Sequence, residues 1–255
     1  MLFDSHTHLD SSRFDKDRDK VIQRMRKSGV THAIIPGTCF ESSVEAVELA
    51  QRYEGIYATV GYHPCAAKYA DDMSLSLLKA LARKPKVVAI GEIGLDYYHD
   101  KSPKDVQIRR FIDQIDIAKS VKLPIVIHDR DANDDVFEIL NAEKAFDTGV
   151  LFHCYSGNAT LARKYVKLGA KLSIAGPVTY NGATKLHEVV KAIPLEHLLI
   201  ETDAPSLTPH PYRGKRNEPG KVKLIAERIA ELKGISFEEV AEVTMINTKK
   251  FFKIR

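Results

Sequence analysis

Eight short runs of apolar, β-branched residues recur along this chain, at positions 2–8, 30–36, 56–63, 87–93, 124–128, 149–153, 170–175 and 198–203. Roughly 20–35 residues separate successive runs, about the span of one strand followed by one helix. Their nearly continuous apolar character suits strands covered on both faces, as in a parallel sheet. Helical patterns fill the intervals. Residues 16–28 carry Val21, Ile22 and Met25 on one stripe and stop at Gly29, 42–53 stops before Gly55, and 158–168 stops at Gly169. Ser102-Pro103 predicts an N-cap and a proline at the first helical position of a long helix ending near residue 121. Residues 221–232 and 237–252 read as two final helices, with Ser236 and Glu239 as a capping box. Eight such units predict an α/β fold, a (β/α)8 TIM barrel, formed as a single domain over residues 1–255. A doubly wound open sheet has the same periodicity and is the alternative. No internal repeat, low-complexity tract or linker divides the chain.

Composition narrows the class. The 255 residues are 44% hydrophobic and 28% charged, as expected for a water-soluble enzyme-sized core. A net charge of +4 permits an anionic substrate but gives no basis for a large nucleic-acid footprint. Three scattered cysteines, Cys39, Cys65 and Cys154, exclude a disulfide framework and fit a reducing compartment. No apolar run has the length of a membrane span, and Asp4, His6 and His8 interrupt any signal-peptide pattern. The expected location is the cytoplasm, with no membrane partner and a monomeric state favoured.

A barrel carries its chemistry at the C-terminal ends of its strands. There the chain places His6-Thr7-His8, His63, Glu92, His128-Asp129-Arg130, His153 and Glu201-Thr202-Asp203. Five of the ten histidines fall at these ends. Charged groups in a barrel mouth are costly unless paired or metal-bound. On a strand, His6 and His8 would face the same side, because side chains alternate with period two. Four histidines and two carboxylates predict two divalent ions per chain: His6 and His8 on one, His128 and His153 on the other, Glu92 between them. Asp203 would complete a shell or take a proton from water. Two ions about 3.5–4 Å apart clamp an attacking oxygen and a phosphoryl or carbonyl centre. A mixed N/O donor set favours transition metals or zinc over calcium, without distinguishing zinc, manganese, magnesium, nickel and iron.

Several residues have plainer readings. His63 is a candidate substrate contact, His32 reads as packing, and His99, His187, His197 and His210 as solvated. Cys154 reads as a small buried thiol and Glu201 as a partner orienting a ligand. The loop 204–219 is proline-punctuated and basic, so Arg213, with Arg130, is a candidate phosphate holder. Tyr62, Tyr97, Tyr98 and Tyr155 lie near strand ends, where they can stack on bases or simply pack.

The motifs D-S-H-T-H-L-D (4–10), G-Y-H-P (61–64), G-E-I-G-L-D-Y-Y (91–98), I-H-D-R (127–130), H-C-Y-S-G (153–157), E-T-D-A-P (201–205) and R-G-K-R-N-E-P (213–219) together resemble the TatD-type metal-dependent hydrolases. These are barrel enzymes of the wider amidohydrolase group, described as DNases. The resemblance runs end to end. It implies that His6, His8, Glu92, His128, His153 and Asp203 bind a divalent metal pair. It also implies hydrolysis of nucleic-acid phosphodiesters, 3′-to-5′ from single-stranded DNA ends. Glu92, rather than a lysine, at the fourth strand end favours this branch over phosphotriesterase-like relatives. Ser206-Leu207 departs from the aromatic residue common after D-A-P, a difference that touches substrate preference. Hydrolysis of a small amide or ester by the same residues, and a non-catalytic metal-binding barrel, are the alternatives.

Overall fold

The computed structural model describes residues 1–255. Eight strands alternate with helices. The strands are β1 (Leu2–Asp4), β2 (Val30–Pro36), β3 (Ile56–Val60), β4 (Val87–Asp96), β5 (Ile125–Arg130), β6 (Val150–Phe152), β7 (Lys171–Ile174) and β8 (Leu198–Ile200). The helices are α1 (Arg18–Lys27), α2 (Phe40–Arg52), α3 (Asp72–Leu81), α4 (Lys104–Val121), α5 (Asn133–Ala142), α6 (Ala159–Lys167), α7 (Thr184–Ala192), α8 (Val222–Lys233) and α9 (Phe237–Phe251). Strand order follows the chain from β1 to β8. Pairing is parallel in β1/β2, β3/β4, β4/β5, β5/β6 and β7/β8. The fold is the expected (β/α)8 barrel. No helix is long and apolar enough to cross a membrane.

By compactness the chain divides into two units, Met1–Ile34 with His153–Arg255, and Ile35–Phe152. In the first unit, Phe3, Phe14, Met25, Ile34 and Tyr165 are fully buried core side chains. Here β8 returns to the start of the chain: Ser5 N donates to Ile200 O at 3.0 Å and Asp203 N to His6 O at 2.9 Å. Asp4, fully buried, accepts from Thr202 N at 2.8 Å and from its hydroxyl. In the second unit, Ile35, Ile56, Leu78, Ile90, Phe111 and Phe152 form the core, with α2 against β3 and α4 against β4.

Local chemistry explains most element boundaries. The stripe of Val21, Ile22 and Met25 is buried, and Gly29 ends α1 with φ of +83°. Asn158 caps α6 by accepting from Leu161 N, and Ser236 caps α9 by accepting from Glu239 N. Ser102 does not cap α4. Pro103 occupies the N-cap, and the Ser102 hydroxyl instead donates to Cys65 O and accepts from Lys68 N. The local cap loses to a long-range tie, because Ser102 is buried where Cys65 O and Lys68 N need partners. Helices α3, α5 and α7 lie in connections where the sequence pattern names none. Their caps differ: Asp71 and Ser74 form a reciprocal box at α3, whereas α5 and α7 have no side-chain cap.

His197, in the short 3-10 turn before β8, has a buried Nδ1 without a hydrogen-bond partner. Burial, with Lys171 nearby, holds its imidazole below the ordinary histidine range. As pH falls, the unfolded chain therefore takes up the proton first, so stability is intact above roughly pH 6.5 and declines below it. Urea titrations of His197→Gln should show the gap to wild type moving in the variant's favour from pH 7 to 5. A gap that does not change with pH would rule out this titration.

Candidate metal centre

The first unit gathers His6, His8, His153, Glu201 and Asp203. Strand β1 stops at Asp4, so the two N-terminal histidines do not converge by strand alternation as expected. Instead the segment runs on between two neighbours, with Thr7 N donating to Ile34 O and His8 N to Ala204 O. The rings of His6 and His8 lie 5.2 Å apart at 75°. His8 Nε2 is 3.4 Å and His6 Nε2 3.9 Å from the same oxygen of Asp203. The burial of the two rings differs: the His6 side chain is 2% exposed and that of His8 23%.

His153 stacks on His6, with centroids 4.1 Å apart at 17°. The sequence grouped it with His128, but the structure places it in the His6 cluster. Glu201 holds it there: Oε1 lies 3.1 Å from His153 Nδ1 and accepts from Cys154 N at 2.8 Å. Both bonds are made by the same oxygen of Glu201, the residue that the sequence reads as a partner orienting a ligand. Cys154 and Asp203, the residues at the exits of β6 and β8, have φ of +41° and +51°. Such left-handed turns are costly for side-chain-bearing residues and recur where a site needs them.

The second unit gathers His63, Glu92, Asp96 and His128. Three residues of β4 span the interval that two of β5 span between Ile90 and Ile93. Glu92 sits in this irregularity, which re-aims its side chain. Its Oε1 lies 2.7 Å from His128 Nδ1 and 3.5 Å from His63 Nε2. The other nitrogen of His128 meets Asp96 Oδ2 at 3.0 Å. Asp96, fully buried, also binds His99 Nδ1 at 2.7 Å and accepts from His99 N at 2.8 Å. His99 is therefore paired as well as half exposed. Gly94 makes room for this: its φ is +137°, and a Cβ there would come within 2.1 Å of His128 O.

Asp96 is the residue that sequence reasoning missed. The predicted strand ended at 93, and the irregularity carries β4 three residues further. Its signal was present in G-E-I-G-L-D. Burial opposes ionisation of Asp96, but hydrogen bonds from His128 and His99 hold it below the usual carboxylate range. Asp203 is likewise pushed up by burial and brought lower by His8, His153 and His6. Both are carboxylates at neutral pH.

The donor chemistry fits divalent ions. Four groupings bring one donor atom from each residue within 4.8 Å of the others: His6/His8/Asp203, His6/His153/Glu201, His63/Glu92/His128 and His63/Cys65/Asp96. Glu201 Oε2 is buried with no hydrogen-bond partner, a cost that an ion would remove. His63 belongs among these donors as much as among substrate contacts.

The arginines stand on aromatic rings. Arg130 lies 4.7 Å over Tyr98, and Arg213 4.5 Å over Tyr180. Of the four tyrosines near strand ends, Tyr98 is 61% exposed, whereas Tyr62 and Tyr155 are buried. Tyr97 bonds Asp135, and Lys104 lies 4.0 Å over its ring.

A barrel with histidine–carboxylate clusters at its strand exits defines a metal-dependent hydrolase. The profile of the TatD related DNases matches residues 3–253. The chain belongs to that family. An uncharacterized metal-dependent hydrolase of Bacillus subtilis, YabD, is 49% identical over 254 residues, covering 100% of both chains. YcfH of Escherichia coli, with the same description, is 36% identical, covering 99% of this chain and 96% of its own. The crystal structure of YJJV, a TatD homologue of Escherichia coli, superposes with a TM-score of 0.94 at 32% identity, covering 100% of this chain and 98% of that one.

Glu201→Gln should weaken divalent-metal binding about 10- to 100-fold, as loss of an orienting carboxylate does elsewhere. Competition with a metal-sensitive dye measures it. Unchanged affinity would remove Glu201 from the site.

Proposed function

We propose that the protein is a phosphodiesterase acting on nucleic-acid ends, most simply a 3′-to-5′ deoxyribonuclease on single-stranded DNA. One observation carries this reading. In each unit the donor cluster is accompanied by a guanidinium held on an aromatic ring: Arg130, two residues after His128, and Arg213, on the loop that begins after Asp203. Guanidinium groups match phosphate oxygens in pairs, and an uncharged amide or ester offers them no anion. The family match supports the same class.

In this reading His6, His8, His153 and Asp203 would hold one divalent ion, and His63, Glu92, His128 and Asp96 a second. When bound, such ions polarise phosphate oxygens and make water acidic enough to attack at neutral pH. The protein's own groups do the rest. Asp203, ionised and 18% exposed, accepts a hydrogen bond from the attacking water and takes its proton. Glu201 keeps His153 in one orientation through Nδ1, and Glu92 does the same for His128. Arg130 and Arg213 hold the non-reacting phosphate oxygens. The modest net charge limits binding to a short stretch of strand. Residues 1–255 act as one domain, as a monomer, in the cytoplasm, which three cysteines outside any disulfide fit.

A labelled single-stranded oligonucleotide incubated with divalent metal should shorten stepwise from its 3′ end, and chelator should stop it. Asp203→Asn should lower kcat about 10²- to 10⁴-fold. Full activity of that variant would overturn the proton role. Turnover of amides or carboxylic esters with no cleavage of any phosphodiester would replace the reading by the small-molecule alternative.

A further inference from the structure

Beyond His153 the chain turns at Cys154, whose φ of +41° is left-handed. His153 meets His6 and Glu201, and Cys154 lines a cavity of about 200 Å³. Tyr155 continues that wall after β6, Ala175 and Pro177 face it after β7, and Ala183 and Leu186 close it at the start of α7. Ser156 and Lys185, both exposed, are its polar and charged lining residues.

We propose that this cavity receives the base of the nucleotide whose phosphate reacts at the His6–His153–Asp203 cluster. The assignment rests on the phosphodiesterase reading above and names how that site holds its substrate. Size is the first argument. Sites for drug-sized ligands run about 300–1,000 Å³, so a cavity of about 200 Å³ suits a single flat ring system. Connection is the second. The residue after a proposed metal ligand lines the cavity, so a phosphate at the cluster is one chain residue from its wall. The anchoring of Arg213 is the third. Its guanidinium rests on Tyr180, which follows directly on the 3-10 turn Gly176–Thr179 that carries Pro177. The Tyr180 hydroxyl donates to Thr208 O at 3.0 Å, and His210 N donates to the Thr179 hydroxyl at 2.8 Å. The loop bearing the phosphate-holding arginine is thereby tied to the segment that forms the cavity wall.

The lining also sets what the pocket can distinguish. It contains no carboxamide or carboxylate side chain, and Ser156 and Lys185, its two groups able to meet a base edge, are exposed rather than held in place. Apolar walls and one aromatic ring hold a base by stacking and shape, which tolerates every base. The pocket should therefore sense whether a base is present and be nearly indifferent to which one.

Gly182 gives the test. It lines the cavity, its φ is ordinary, and a Cβ there meets nothing within 4 Å. Gly182→Leu therefore fills the mouth without displacing packed atoms, and an unchanged Tm checks that the fold is kept. Two oligonucleotides are compared, one with a normal terminal nucleotide and one abasic at that position. In wild type the abasic substrate should show a KM about tenfold higher. Gly182→Leu should raise the KM of the normal substrate to a similar value and leave that of the abasic one alone. A fluorescent purine analogue at the strand end should be quenched on binding wild type and not the variant. Equal KM values for both substrates in wild type, or an unaffected variant, would overturn the pocket while leaving the phosphodiesterase reading in place. Failure of wild type to cleave either substrate would overturn the reading itself, and the pocket with it.

Discussion

Four carboxylates, Asp4, Glu92, Asp96 and Glu201, are shut away from water at strand ends, each at most 3% exposed. Burying a charge costs several kcal/mol unless it is paired and hydrogen-bonded. Each of the four is answered by a hydrogen-bonding group. Asp4 holds Thr202, Glu92 and Asp96 share the two nitrogens of His128, and Glu201 holds His153 and the Cys154 amide. Asp4 stays raised well above the usual carboxylate range by burial, whereas Asp96 is brought below it by its histidines. The same kind of group thus serves as a structural clasp in one place and a charged orienter in another, according to whether imidazoles surround it.

These clasps explain why short strands suffice. Strands β1, β6 and β8 are three residues each, yet their exits hold His6, His153, Glu201 and Asp203 in place. Side-chain bonds and backbone bonds past the strand ends, such as Asp203 N to His6 O, continue the order that the ladder begins. The donor atoms are therefore positioned by strand exits, whereas Arg213 stands on the exposed loop that follows β8.

The architecture was legible because eight buried parallel strands leave an apolar run each, and the helices between them stop at glycines such as Gly29 and Gly169. The ends of the strands were less legible. A strand end depends on whether the neighbouring backbone continues to offer partners, which is a property of another part of the chain. The convergence of His6 and His8 was foreseen for a reason that does not apply, because β1 has ended before either residue. Asp96 was overlooked because a local irregularity lengthens β4 past the apolar run. Ser102 was misread as a cap because its best partners lie 34 and 37 residues away.

Residue types and their spacing alone determined the fold class, the family and the six residues expected to bind metal, since these depend on periodicity and on motifs within a few positions. Only the tertiary structure decided which donors meet. It set His153 on His6, gave His128 two carboxylates, brought His63 to Glu92 and opened a cavity behind Cys154. The physical reason is that donor atoms must lie within a few ångströms of one another. That proximity is set by strand irregularities and left-handed turns, which side-chain periodicity does not encode.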